Sequence, residues 1–157
     1  MINTVKQQQN GWLVNGSMSV PNDKSNRHYQ EVQEWLKTNT PEPEFTFTEL
    51  QTAKISELTA AYNAANETDI AYMNTTFQAN KKSQELITGI LAGGGAVPSG
   101  FTWRDKLNVD VPMTFADLQG LSQAIVARGQ VNWVKYQGLK AKVSLSTTQS
   151  DLDTIVW

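Results

Sequence analysis

His28 is the only histidine of the chain, it sits next to Tyr29, and there is no cysteine. A zinc site needs three or four converging ligands, and a nucleophilic triad needs a serine or thiol held by an oriented base. Neither set surrounds His28, so a solvated or capping side chain on a helix is expected. The carboxylates are scattered. Glu42 and Glu44 flank a proline connector, Asp105 and Asp110 flank a strand turn, and Asp151 and Asp153 fall in a helical first turn, where negative charge is favourable. A lytic glycosidase would need two carboxylates across a cleft. Asp105 with Glu85 is the pair whose spacing allows it, but every acidic residue here has a local structural explanation. Gly93-Gly94-Gly95 resembles a phosphate cradle only superficially. A P-loop puts its glycines after a strand and before a helix and closes on Lys then Ser or Thr; here a helix comes first and the lysine is missing. With Ala96 to Gly100 the stretch reads as a mobile surface loop. No catalytic residue, cofactor or metal is expected.

Charge and length narrow the classes further. The chain has 157 residues, 13 basic and 15 acidic, for a formal charge of −2. One ordinary domain, or a small domain with an arm, fits that length. The balance lacks the clustered basic excess that a nucleic-acid backbone attracts, so neither nucleic acid nor an anionic membrane is an expected partner. The N-terminal residues carry no apolar run of signal length, and no segment approaches a bilayer span.

The elements follow from turn chemistry and periodicity. Asn15-Gly16 lies between Trp12-Leu13-Val14 and Ser17-Met18-Ser19-Val20, a strong hairpin signal. Pro21 and an Asn/Asp/Ser cluster stop the second strand, Ser25 or Asn26 can cap a helix from about Asn26 to Lys37, and Tyr29, Val32, Trp35 and Leu36 share its apolar face. Pro41 and Pro43 stiffen the exit. This arm, residues 1–44, carries too few apolar residues to fold alone and needs its own body or a partner. Thr46 and Glu49 make a capping box opening a helix in the 45–67 segment, with Phe47, Leu50, Ile55, Leu58, Ala61, Tyr62 and Ala65 on one side. Its three-four spacing is also coiled-coil-like, over only about two heptads.

The remainder, residues 68–157, reads as a C-terminal α+β domain of short antiparallel strands packed with helices. Ile70 to Met73 and Thr76 to Gln78 form a hairpin through Asn74-Thr75. Asn80 caps a helix ending at Gly93. Phe101 to Trp103 and Asn108 to Val111 are strands around an Arg104 to Leu107 turn. Thr114 with Asp117 caps a long helix carrying Leu118, Leu121, Ile125, Tyr136, Leu139 and Val143, with a break or bend expected near Gly129. Thr148 with Asp151 caps a last short helix that buries Leu152 and Ile155, and Trp157 either joins them or is available to a neighbour.

The run from Val20-Pro21-Asn22-Asp23 through Asn26-Arg27, Tyr29, Val32 and Trp35-Leu36 to Thr40-Pro41-Glu42-Pro43 resembles a segment near the N-terminus of many small bacteriophage tail-fibre and tail-accessory proteins. From about residue 68, Phe77-Gln78-Ala79-Asn80, Phe101-Thr102-Trp103, Val111-Pro112-Met113-Thr114-Phe115-Ala116-Asp117-Leu118 and Thr148-x-x-Asp151-Leu152 resemble a phage-encoded domain of unknown function. That domain commonly stands at the C-terminus of tail-fibre-linked proteins. The hairpin turn lacks the glycine usual there, and Asn80 replaces an aspartate cap, which leaves the hairpin register open. The resemblances imply a virion component of the tail, made in the host cytoplasm and oligomeric within the assembly, that binds tail-fibre, spike or baseplate proteins. A tail-fibre assembly chaperone, released before the particle is complete, is the alternative.

Five tryptophans complete the reading. Trp103, beside a strand turn, is expected in the core, whereas Trp12 and Trp35 lie in an arm that cannot cover them. The expected partner-binding residues are therefore Trp12, Tyr29, Val32, Trp35 and Leu36. The other reading is that both tryptophans pack on the C-terminal domain.

Overall fold

A computed structural model describes residues 1–95 and 97–157; Ala96, part of the loop expected to be mobile, lies outside the described residues. The fold class is α+β, with helices and small antiparallel sheets in two compact units, Met1–Leu50 and Gln51–Trp157.

The first unit begins with β1 (Val5–Gln8), β2 (Gly11–Val14) and β3 (Met18–Pro21), an antiparallel meander in that order. The sequence shows only β2 and β3, because Lys6-Gln7-Gln8 hides the pairing of β1. Register places Val5 opposite Val14, Gln7 opposite Trp12, and Trp12 opposite Val20. Paired residues share a face, so one face of the sheet carries Val5, Trp12, Val14, Met18 and Val20. Gly11 is required where strands crowd, since a Cβ there would stand 2.1 Å from the Val20 carbonyl oxygen. Helix α1 (Arg27–Leu36) starts at Asn26, whose side chain accepts from the amides of His28 and Tyr29 at 2.8 and 3.3 Å.

Val5, Val14, Val20 and Val32 are buried together, with Ile2, Trp12, Met18, Tyr29, Trp35 and Leu36 packed around them. The N-terminal segment thus has a small core of its own. The expectation that it lacks the means to cover its apolar residues is corrected, and the added strand β1 is the reason. The proline connector contributes too. Glu42 pairs with β1, its amide donating to Val5 O and Gln7 N donating to Glu42 O, both at 2.8 Å.

Helix α2 (Phe47–Asn66) opens on the expected capping box, with Thr46 N and Oγ1 donating to Glu49 Oε2 at 2.7 and 2.8 Å. Most of α2 belongs to the second unit. Leu58 is fully buried there, Thr59 Oγ1 lies 2.7 Å from the Tyr136 hydroxyl, and Gln51 Nε2 donates to Val143 O at 3.0 Å. The 45–67 segment is therefore not a separate connector in this structure, and the apolar spacing that resembled a coiled coil is spent on packing.

The second unit continues with β4 (Ile70–Tyr72), β5 (Thr75–Phe77), α3 (Lys81–Ala92), β6 (Thr102–Arg104), β7 (Asp110–Pro112), α4 (Phe115–Leu145) and α5 (Gln149–Asp153). Tyr72 pairs with Thr75, so the hairpin turn is Met73-Asn74, one residue earlier than expected. Both have positive φ, 50° and 59°, as a two-residue primed turn demands. Phe77, Ile87, Met113, Leu118 and Leu121 form one buried cluster of this unit, with Tyr72 and Trp103 among the residues packed against it. Helix α4 runs unbroken for 31 residues through Gly129, correcting the expected break. Arg128 secures the end of α2: its Nη1 donates to Thr68 O and its Nη2 to Asn66 O at 2.5 Å, satisfying carbonyls that a helix C-terminus leaves open. Burial lowers the Arg128 guanidinium below its usual value, opposed by the nearby Asp69 carboxylate.

Candidate partner-binding groove

The alternation of β2 and β3 puts Val14 and Met18 on the face where α1 lies, and the helical spacing of His28, Glu31 and Trp35 aligns those three along one flank of α1. Between them is an open groove of about 820 Å³ within the first unit. Ile2, Val14, Met18 and Trp35 give it apolar lining, while His28 and Glu31 are polar. Asn15 lines it too. Its side chain accepts from the amides of Asn3 and Thr4 at 2.8 and 3.1 Å and donates to Met1 O at 3.1 Å, which holds the first residues beside the turn. In the sequence Asn15 signals only a turn; nothing local announces the clamp.

The polar flank is preorganised. Glu31 sits 3.0 Å from His28 Nδ1 and 3.1 Å from Arg27 Nε. The His28 hydrogen bond is the main reason its carboxyl is held below the usual range, with the Arg27 and His28 charges adding to it. With Glu31 ionised, Nδ1 carries the proton in this contact. The histidine is committed to orienting a carboxylate on a helix surface.

Of the five residues expected to bind a partner, only Trp35 lines the groove. Val32 is completely buried under the helix, so its assignment to a partner surface is corrected: it fastens α1 to the sheet. Trp12, Tyr29 and Leu36 are half-buried against the same valine cluster. The Trp12 indole Nε1 is buried with no acceptor among the described residues. His28, Glu31, Met18 and Ile2 escaped the sequence reading because the groove joins residues from a strand, a helix and the chain start.

Elsewhere, the acids that could suggest hydrolysis have structural work. Asp105 is 7% exposed, and its Oδ1 accepts from the amides of Leu107 and Val109, both at 2.8 Å. It shapes the β6–β7 turn while its backbone bridges to Phe77. Glu85 lies on the exposed side of α3, 4.0 Å from Lys81. Among the described residues no group of three or more His, Asp or Glu is placed to hold a metal ion. No helix of the described residues is long and apolar enough to cross a membrane. Trp157, for which the sequence allows either burial or a neighbour, is half-buried and stands edge-on to Tyr62 at 6.2 Å with Lys135 Nζ 4.5 Å from its ring centroid.

Neither the curated proteins nor the solved structures provide a match to the chain. Residues 49–156 match the family described as Domain of unknown function (DUF4376), well over half of the sequence, and the chain belongs to that family.

Proposed function

We propose that this chain is a non-enzymatic component of a bacteriophage tail that docks a tail-fibre, spike or baseplate protein in the groove of its first unit. The observation that carries the docking is the groove itself. Trp35 stands half-buried beside Met18 and Ile2, with the ordered His28 and Glu31 at its side. A large aromatic in an apolar recess, bordered by polar groups, is how protein interfaces concentrate their energy. The phage setting rests on the resemblance of the Val20 to Pro43 run to tail-fibre and tail-accessory proteins. The charge balance of −2 favours a protein partner over nucleic acid.

The reading needs no cofactor and places the protein in the virion after synthesis in the host cytoplasm. Quantitative mass spectrometry of purified particles tests it. A virion component is present in stoichiometric amount, whereas an assembly chaperone binds the same partner in lysates and is lost from finished particles. Absence from particles would overturn the structural role.

A further inference from the structure

We infer that the outer face of α4 docks an acidic amphipathic helix of another protein, one whose apolar stripe is edged by carboxylates. This inference is independent of the groove. The inner side of the C-terminal half of α4 holds Tyr136, Leu139 and Val143, all buried. Its outer side carries Ala127, Val131, Val134, Gly138, Ala141 and Leu145, every one exposed. Their spacing alternates four, three, four, three, four, the repeat by which one helix receives another. The larger side chains stand open to water, Val131 at 69%, Val134 at 62% and Leu145 at 81%. The stripe runs for about 27 Å, so a partner helix of roughly five turns matches it.

Charge selects the occupant. From Leu118 to Ser150 the sequence holds Arg128, Lys135, Lys140 and Lys142 and no acidic residue. Arg128 is engaged with the end of α2, which leaves the lysines. The other long helices each neutralise a cation locally: Arg27 pairs with Glu31 in α1, Lys54 with Glu57 in α2 and Lys81 with Glu85 in α3. Among the described residues no carboxylate pairs with Lys135, Lys140 or Lys142; Lys135 and Lys140 stand over the rings of Trp157 and Tyr136 instead. The helix C-terminus accounts for a cation at Lys142, in the last turn. It does not account for Lys135, well before that turn.

Position decides what the lysines read. Lys135 and Lys142 directly follow the stripe residues Val134 and Ala141 and edge the stripe on one side, while Gln130 and Gln137 edge it on the other. Such flanking positions choose the partner of a helix pair. A second copy of this chain would bring lysine to lysine or lysine to glutamine, with no opposite charge in either direction. A helix with Glu at its own flanks gives each lysine a carboxylate. Nucleic acids and anionic membranes are held through a dense basic cluster, and two lysines a heptad apart beside an apolar stripe are not one.

The test uses the full chain and a labelled synthetic peptide of about three heptads, with Leu at its seam positions and Glu at both flanks, and a twin in which every Glu is Lys. Fluorescence anisotropy should show saturable binding of the Glu peptide that weakens with added salt, and no binding of the Lys peptide. Lys135→Glu combined with Lys142→Glu, both at exposed positions, should weaken binding of the Glu peptide at least about tenfold and confer binding of the Lys peptide. Val134→Asp should weaken binding of the Glu peptide about a hundredfold or more, because it carries an unpaired carboxylate into the seam, with the thermal unfolding of the free chain retained. No binding of the Glu peptide, equal binding of the two peptides, or binding that these substitutions leave unchanged would overturn the proposal. A chain that dimerises through Val134, or that binds phosphatidylserine vesicles but not the Glu peptide, would do the same.

Discussion

The phenol oxygen of Tyr72 lies 2.0 Å from the point where a β-carbon on Gly120 would stand, and its ring carbon Cζ lies 2.8 Å away. The β4–β5 hairpin therefore meets α4 at a position where a side chain would clash. Gly120→Ala, ordinarily favourable in a helix, should instead destabilise the second unit by about 1–3 kcal/mol, the cost of overpacking. Combining it with Tyr72→Phe should recover part of that loss, since residues in contact couple non-additively. Denaturant unfolding of the two single variants and the double variant measures the coupling; simple additivity would show that the contact carries no strain.

The Met73-Asn74 turn stores strain that can be released. Met73 has φ of 50° and is 47% exposed, so it occupies a left-handed conformation that costs a non-glycine residue energy, and little packing offsets it. Met73→Gly relieves that strain against the cost of a more flexible unfolded chain, and should raise stability by about 0.5–1 kcal/mol. The change in thermal midpoint reads it, and a lowered midpoint would mean that the methionine side chain contributes more than its exposure suggests.

Helix caps were the legible part of the fold. Thr46, Asn80, Thr114 and Thr148 each head a helix as their spacing announces, because a cap is decided by neighbours three residues apart. Two kinds of feature escaped. Strand β1 is polar in sequence and exists through pairing with β2 and with Glu42, so its stabilisation is long-range. Helix α4 passes through Gly129 because the local cost of glycine is small beside the packing of Leu118, Leu121, Tyr136, Leu139 and Val143 along it. The apolar periodicity of α1 identified Val32 and Trp35 correctly as apolar-face residues, but periodicity alone does not separate the position under the helix from the one beside it.

Acid should loosen the helix starts. Asp117 and Asp151 are held below the ordinary 3.8: Asp117 chiefly by the Thr114 hydroxyl, then the Thr114 amide, and Asp151 by the amide of Thr147 and then the hydroxyl and amide of Thr148. Glu49 is held below 4.5 by the amide and hydroxyl of Thr46. A depressed folded value means the stabilisation is present above the ordinary value and lost as pH falls through the folded one. Stability should decline on going below about pH 4.5. Asp117→Asn should make that decline shallower, and an unchanged slope in its pH-dependent unfolding would contradict the assignment.

Each unit has a buried cluster built from its own residues. The cluster around Val32 draws every residue from the first unit, and the cluster around Phe77 draws every residue from the second. Residues 45–157, which keep the Thr46 cap of α2, should therefore unfold cooperatively on their own. A calorimetric scan without a transition would show that the second unit depends on the first.

Trp35 is the residue on which the docking account stands, and incorporation into phage particles by the Trp35→Ala variant is its most direct test. The account predicts a folded free protein whose amount in purified particles falls at least about tenfold, in keeping with a lost interface hot spot of ~2 kcal/mol. Incorporation at the unsubstituted level, with the variant folded, would contradict it and leave the groove without a role in assembly.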